Sequence, residues 1–529
     1  MQIRATINES KRGRNKQLAL AAICVATASF PLYAGDAVEY AGADGAKYVA
    51  LEYIESNAPV ADKYLARMYG GVIRDGGEIG RDFVPVKRMP DGTPGMFDHK
   101  NRTFYANQEN SPDVMPGPLF DTGLPPPAKQ PDLLRPDVLR MPDGTRISTA
   151  HEWRLKARPQ ILDFFEKNVY GKVPPRPAKV EFVLAEKGDD ALDGLAKRRQ
   201  YRIVSTDACG THSFDVLVYL PKDANRPVPA FVCPNFCGNQ SITDDPKVIL
   251  PTCPLYGGIK PDDPGKGRKL LIEHIPVKDI VQAGFAIATF CHCDVYPDYS
   301  RTRGRNQLDG AAESVWRIFA PEKRDRQLAL TAWAWGNMRV MDLFESMPEI
   351  DARKVAVTGL SRLGWASVIT AAYDERFAMC CPNAGGCKPL VCVPNLCWPA
   401  WFAPELTNWT AIGKYNLSSS EAAKLRTDKP APPFEQMSLI GCIAPRALHI
   451  GTSTRDVSAP PNMSFGTVKA VEPVYRLFGG TTFPGEDRML VAEPFLGDIS
   501  WHCKEGTHSL TREDWSAYIT DAKRVLRTP

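Results

Sequence analysis

The sequence predicts a mostly parallel α/β fold, with a central β-sheet covered by helices on both faces. Two observations predict it: short, continuously apolar runs, and long helical patterns between them. The runs are VPAFVCPNF, GFAIATF, KVAVTGL and RALHIGT, and the intervening helices include RQLALTAWAWGNMRVMDLFESMP and WASVITAAYD. Continuous apolar character is typical of parallel strands buried on both sides. Because ligands bind at the carboxyl ends of such strands, we expect the chemistry just after these runs.

The segment before these strands predicts one helix and an antiparallel edge. TAHEWRLKARPQILDFFEKNVYG begins at a threonine, keeps helical apolar spacing and ends at a glycine. KVEFVLAE, RRQYRIVS and SFDVLVYLP then alternate apolar and polar residues, as half-exposed strands do. We assign residues 127–529 to this domain. Residues 35–126 are rich in turn motifs such as KRMPDGTPGM, and we assign them to an N-terminal extension whose role the sequence leaves open.

Residues 1–34 predict an export signal. Basic residues precede the apolar run LALAAICVATASFPLYA, which ends in small residues and indicates cleavage near Ala34. The run is short for a membrane span and is interrupted by Ser29 and Pro31, which argues against a retained anchor. This segment holds five Lys or Arg and one Glu, a charge of +4 that equals the formal net charge of the whole chain. The remaining chain is therefore neutral overall, which disfavours nucleic-acid and membrane-surface partners.

The chain has 14 cysteines, 13 of them after the signal. Disulfides are the expected state in an exported protein. The candidates are the pair Cys233/Cys237 and the cluster Cys380, Cys381, Cys387, Cys392 and Cys397. CHCD at residues 291–294 lacks a second pair of zinc ligands at suitable spacing, so no metal is predicted.

The stretch VTGLSRLGWA predicts a nucleophilic serine on a strand–turn–helix. Ser361 follows the strand Lys354–Thr358 and precedes the predicted helix, with Gly359 before it and Gly364 after it. A nucleophile elbow needs small residues here, because the serine backbone is strained and the helix packs closely on the strand. The Arg362 N–H at the helix start would donate to an oxyanion. An ordinary glycine-rich turn is the alternative.

The partners of this serine are predicted from chain order. In α/β-hydrolases the acid and then the histidine follow the nucleophile. His508 lies in a loop before the C-terminal helix, and Asp456 follows the last predicted strand, where it would hold the tautomer of His508. His502 and His449 are interpreted as structural residues.

From about Asp132 to Leu526 the sequence resembles carbohydrate esterase family 15, the glucuronoyl esterases. The resemblance lies in TGLSRLGWASVITAAYDERFA, PNFCGNQ, CDVYPDYS, AWAWGNMRVMDLFESMPEIDARKVAV, LIGCIAPRALHIGTSTRD, VEPVYRLFG and HSLTREDW. It implies an α/β-hydrolase fold, with Ser361 as nucleophile, His508 as base and Arg362 as an oxyanion-stabilising side chain. The late position of Gly364 matches the pattern of the family.

The sequence departs from the family at positions that recognise the sugar. The family's acid shortly after the nucleophile helix is replaced by Ala384, so Asp456 must serve as the acid. Trp365 stands where the family has a sugar-binding lysine, and Ser458 where it has a stacking tryptophan. No counterpart of the sugar-binding glutamate lies between Gly385 and Trp401.

We therefore predict a secreted or periplasmic serine esterase that acts on polysaccharide- or oligosaccharide-linked esters, resembling 4-O-methyl-glucuronoyl methylesterases. It would act as a monomer, without cofactor or metal, and away from the membrane once the signal is cleaved. Trp365, Trp398 and Trp401 are candidate sugar-stacking residues, although Trp365 could instead pack under its helix. The alternative functions are a deacetylase of acetylated polysaccharide and a carbohydrate-binding protein that has lost turnover.

Overall fold

The computed structural model describes residues 137–251, 268–269, 271–298, 310–320, 327–387, 432–453, 456, 459, 461–480, 483, 494–504 and 508–526, and the backbone of short strands between residues 39 and 106. The chain divides into two compact units, residues 1–105 and 106–529. The first unit contains two three-stranded sheets, formed by β1 Glu39–Ala41, β2 Lys47–Val49 and β3 Ile73–Arg74, and by β4 Lys87–Arg88, β5 Pro94–Asp98 and β6 Thr103–Ala106. The boundary near residue 126 and the export signal stay predictions.

The second unit is built on a nine-stranded sheet. Its strands are β7 Lys179–Ala191, β8 Ala196–Asp207, β9 Gly210–Pro221, β10 Val228–Val232, β11 Ala286–Phe290, β12 Ile350–Leu360, β13 Met379–Asn383, β14 Ala447–Ser453 and β15 Ile499–Lys504. They lie in the order β15-β14-β13-β12-β10-β11-β9-β8-β7. The six strands β10 to β15 are parallel, and β7, β8 and β9 form the predicted antiparallel edge. The predicted fold is confirmed.

Helices connect these strands, and the first of them begins and ends at the predicted capping residues. The predicted first helix is confirmed: Thr149 accepts a hydrogen bond from the Glu152 N–H, and the helix ends at Gly171 with φ 71°. The α-helices are Ala150–Glu152, Arg158–Phe165, Val277–Gln282, His292–Val295, Gly310–Glu313, Ala329–Ser346, Arg362–Tyr373, Gln436–Gly441, Pro461–Leu477 and Arg512–Val525; Trp153–Ala157 and Glu166–Tyr170 are π-helical, and Asn239–Ile242 and Val315–Ile318 are 3₁₀ turns. No helix in the described part of the chain is both long enough and apolar enough to span a membrane.

The core lies between the parallel strands and the helices that cover them. β10, β11, β13 and β15 are buried along their whole length. Helix Ala329–Ser346 is buried almost throughout, because it is apolar around most of its circumference. Two strands, β13 and β15, were not predicted: MCCPN and ISWHCK mix proline, polar and charged residues and lack the apolar run of their neighbours.

The cysteines correct the disulfide prediction. Cys233, Cys380, Cys381 and Cys387 are free, buried thiols, so the pairing of Cys233 with Cys237 does not form. Cys380 and Cys381 are consecutive in β13, which points their side chains to opposite faces of the sheet. Burial raises the pKa of the Cys233 thiol and keeps it in the neutral form. These cysteines act as small apolar core residues. Cys392 and Cys397 lie outside the described residues.

Candidate active site

Ser361 lies on a strained turn between β12 and the helix Arg362–Tyr373. Its backbone torsions are φ 58° and ψ −120°, a conformation that costs a non-glycine residue about 1–3 kcal/mol. The turn is fixed by the Ser361 N–H, which donates to the Asn383 carbonyl at 2.9 Å. A serine held in this way between a strand and a helix start has the geometry of a nucleophile elbow.

Three glycines leave the space that this turn requires. A Cβ on Gly359 would lie 2.6 Å from the Leu363 carbonyl oxygen, and one on Gly364 would lie 2.9 Å from that of Asn383. A Cβ on Gly385 would lie 2.0 Å from the Ser361 carbonyl oxygen. Each of these atoms belongs to the backbone and cannot rotate away, so glycine is required at these positions. The late glycine of the motif therefore has a steric function.

His508 and Asp456 meet at the same edge of the sheet. His508 Nδ1 lies 2.8 Å from Asp456 Oδ2, and the other carboxylate oxygen accepts a 2.8 Å hydrogen bond from the Ala459 N–H. Asp456 is fully buried, whereas 12% of the His508 side chain is exposed. The two residues follow β14 and β15, which are parallel to β12, so their loops lie on the same side of the sheet as Ser361.

Arg362 is buried beside the serine and forms an ion pair with Asp298. Its guanidinium lies 6.0 Å from the centre of the Phe236 ring, in the loop that follows β10. Asp298 is fully buried and also contacts His292, whose Nε2 lies 3.3 Å from its carboxylate. A buried carboxylate therefore joins two cationic side chains next to the serine.

His292 is held in the charged form by these contacts. Burial lowers its pKa, but the hydrogen bond and charge of Asp298, together with Cys291, outweigh that effect and raise the pKa to about 9. The imidazolium donates through Nε2 to Asp298 and through Nδ1 to the Asn235 carbonyl at 3.0 Å. Cys291, His292 and Cys293 place their ligand atoms within 4.8 Å of one another, and both ring nitrogens of His292 face oxygen acceptors.

His292 makes the stability of the protein depend on pH. Its pKa of about 9 in the folded protein lies above the unfolded value of 6.5, so its contribution is complete below pH 6.5 and is lost as pH rises through 9. Between pH 6.5 and pH 9.5 we expect the wild type to lose up to about 3 kcal/mol more unfolding free energy than His292→Gln does. Urea unfolding of both proteins measures this difference. Equal losses in the two proteins would contradict the prediction.

Of the remaining predicted residues, Trp365 lies in the helix that follows Ser361 and the others lie outside the described structure. Trp365 is 8% exposed, and its ring packs edge-on against Tyr170 with 6.1 Å between the ring centres. This is the arrangement expected if Trp365 packs under its helix. Its role in sugar binding stays a prediction. Trp398, Trp401 and Ser458 lie outside the described residues.

Sequence reasoning missed a buried polar cluster near the loops that carry Asp456 and His508. His502 Nε2 lies 2.9 Å from Asp514 Oδ1, and the Lys504 ammonium lies 2.9 Å from Asp514 Oδ2. His449 contacts His502 at 2.9 Å and Asp521 at 2.9 Å, which confirms its assignment as a packed core residue. The local sequence signal for Asp514 is the helix start SLTRED, in which the Asp514 carboxylate accepts a hydrogen bond from the Thr511 N–H as part of a capping box.

Comparisons with known proteins agree on one family. A model described as fungal glucuronyl esterase matches residues 268–479. A carbohydrate esterase from an unknown prokaryotic organism is 31% identical over 410 residues, which cover 74% of this chain and 89% of that protein.

Two solved structures are similar over most of their length. A glucuronoyl esterase from Solibacter usitatus has a TM-score of 0.64 and 28% identity, covering 74% of this chain and 97% of that one. A promiscuous esterase of carbohydrate esterase family 15 from a marine bacterial metagenome has a TM-score of 0.62 and 29% identity, covering 73% and 96%. The fold and the strand–turn–helix thus occur in a chain that is similar to esterases over about three quarters of its length.

Proposed function

The chain belongs to carbohydrate esterase family 15 and is a carbohydrate ester hydrolase, and from that premise we propose that Ser361, His508 and Asp456 are its catalytic triad. The observation that carries the proposal is the 2.8 Å contact between His508 and buried Asp456, at the sheet edge that also holds the strained Ser361 turn. Fold similarity alone would not assign these roles.

The triad supports a two-step acyl transfer. Ser361 Oγ attacks the ester carbonyl while His508 Nε2 accepts its proton, and the proton then passes to the alcohol as it leaves. Water attacks the acyl-enzyme in the second step, and His508 again acts as the base. Asp456 accepts the Nδ1–H hydrogen bond, which leaves Nε2 unprotonated and stabilises the imidazolium that forms.

The oxyanion would be held by the first turn of the helix Arg362–Tyr373. The Arg362 N–H lies at the N-terminus of this helix, where the backbone N–H groups favour a negative charge. The Arg362 guanidinium adds a full positive charge beside Ser361, and its ion pair with Asp298 fixes the side chain. Loss of one oxyanion donor typically lowers kcat by about 10²–10³-fold.

The substrate we propose is a uronic-acid ester linked to a polysaccharide, as the names of the glucuronoyl esterase relatives suggest. The sugar-recognition positions differ from the family pattern, since Trp365 replaces its lysine and Ser458 its stacking tryptophan. We therefore include uronates other than glucuronate in the proposal. We further propose that the protein is exported, on the basis of the N-terminal signal pattern, and that it acts as a monomer.

A substrate panel tests this function. Wild type and Ser361→Ala would be assayed on benzyl glucuronate, methyl galacturonate and acetylated xylan, with release of alcohol or acetate as the measurement. We expect wild type to cleave at least one uronate ester and Ser361→Ala to retain only a trace of that activity. Release of acetate alone would establish a deacetylase instead. Binding of the polysaccharide without cleavage of any ester would establish a binding protein.

A further inference from the structure

We propose that the buried Lys504–Asp514 ion pair is a positioning device that holds the three catalytic loops in a fixed relation to one another. The inference rests on the proposed triad and adds two residues to it. Both residues are buried, so both would act through the loops that they connect.

Lys504 connects the acid loop to the base loop. Its ammonium donates to the Ser453 hydroxyl at 2.9 Å and to the Ser509 carbonyl at 2.8 Å. Ser453 ends β14, and its carbonyl accepts a hydrogen bond from the Asp456 N–H at 3.2 Å. Ser509 is the residue after His508. One cation therefore binds both segments on which the Asp456–His508 contact depends.

Asp514 extends the connection to the nucleophile. The Asn383 side-chain amide donates to Asp514 at 2.8 Å, while the Asn383 carbonyl accepts the Ser361 N–H hydrogen bond at 2.9 Å. The same aspartate forms an ion pair with the Lys504 ammonium at 2.9 Å. The nucleophile turn, the acid loop and the base loop are thus joined through two buried side chains.

Burial and charge make this connection rigid. Lys504 is 2% exposed and Asp514 is fully buried. The three ammonium protons have three acceptors: Ser453, Ser509 and Asp514. Burial would raise the pKa of Asp514, but Lys504 and His502 hold it well below its usual range, so the carboxylate stays charged. Removing one partner would leave the other charge buried and uncompensated.

The first test is Lys504→Met, which keeps the length of the side chain and removes its charge and donors. We expect kcat to fall about 10²-fold with KM changed less than threefold, because displacement of reacting groups by about 1 Å has that effect. The low-field proton resonance of His508 Nδ1–H, assigned by its loss in His508→Gln, should broaden or shift. A purely structural role would leave this resonance unchanged in the folded protein.

The matched control is Arg339→Met, which removes another buried cation from an ion pair with an aspartate, 2.8 Å from Asp342. It should lower the unfolding free energy while kcat and the resonance stay at wild-type values. If Lys504→Met does not fold, Ser453→Ala, which removes one acceptor, should still lower kcat about threefold to tenfold.

Unchanged kcat and resonance in folded Lys504→Met, or in Ser453→Ala, would overturn the positioning role. Ser361→Ala assayed alongside separates the two proposals. If Ser361→Ala keeps its activity, the triad itself is wrong. If Ser361→Ala is inactive and Lys504→Met is normal, only the positioning role is wrong.

Discussion

Ser361→Ala is expected to lower kcat for ester hydrolysis by about 10⁶-fold, with little change in KM. The alanine cannot form the acyl-enzyme, and the remaining rate would come from the oxyanion donors and substrate binding alone. Initial rates on the best uronate ester, with protein concentrations high enough to detect slow turnover, give the measurement.

Ser367→Ala is the matched control for this change. Ser367 lies in the same helix and is also buried, and its hydroxyl donates to the Leu363 carbonyl at 2.8 Å. We expect its kcat to stay within threefold of wild type. The double variant Ser361→Ala/His508→Gln should be no slower than Ser361→Ala, because the two residues act as one unit. A Ser361→Ala enzyme within tenfold of wild type would remove Ser361 from the mechanism.

Asp456→Asn is expected to lower kcat by about 10⁴-fold. Asparagine keeps the shape of the side chain, and its oxygen can still accept from the Ala459 N–H. Its amide nitrogen, however, would face His508 Nδ1 as a donor and favour the tautomer that carries the proton on Nε2. That tautomer cannot accept the serine proton. Steady-state kinetics on the same ester measure the effect.

A second buried aspartate that contacts a histidine provides the comparison. Asp521 lies 2.9 Å from His449, and burial lowers the pKa of that histidine to about 4. Asp521→Asn should reduce the unfolding free energy and leave kcat within tenfold. The acid would have to be sought elsewhere if Asp456→Asn retained more than a tenth of the wild-type kcat.

The parts of the site that could be predicted are those encoded locally. Gly359, Ser361 and Gly364 lie within six residues, so one stretch of sequence shows both the strand end and the helix start. Chain order was sufficient to pair His508 with Asp456, because parallel strands bring consecutive loops to one edge. Their contact is confirmed, and their catalytic roles stay a proposal.

The parts that could not be predicted depend on contacts between distant residues. Asp298 is 64 residues from Arg362, and Lys504 is 51 residues from Ser453. A lysine that ends a strand gives no sign of its burial, because its partners come from other loops. β13 was missed for a related reason: it pairs with β12 and β14 inside the sheet, whereas its own sequence lacks an apolar run.

The ion pairs around the catalytic turn have a consequence for the response to heat. The free-energy cost of removing charged groups from water falls as temperature rises, because the hydration of ions carries a strongly negative entropy. Arg362–Asp298 and Lys504–Asp514 are both buried near the proposed triad. Warming therefore reduces the penalty for keeping these charges inside the protein. This edge of the sheet should therefore stay ordered to a higher temperature than the cost of its buried charges at room temperature would indicate.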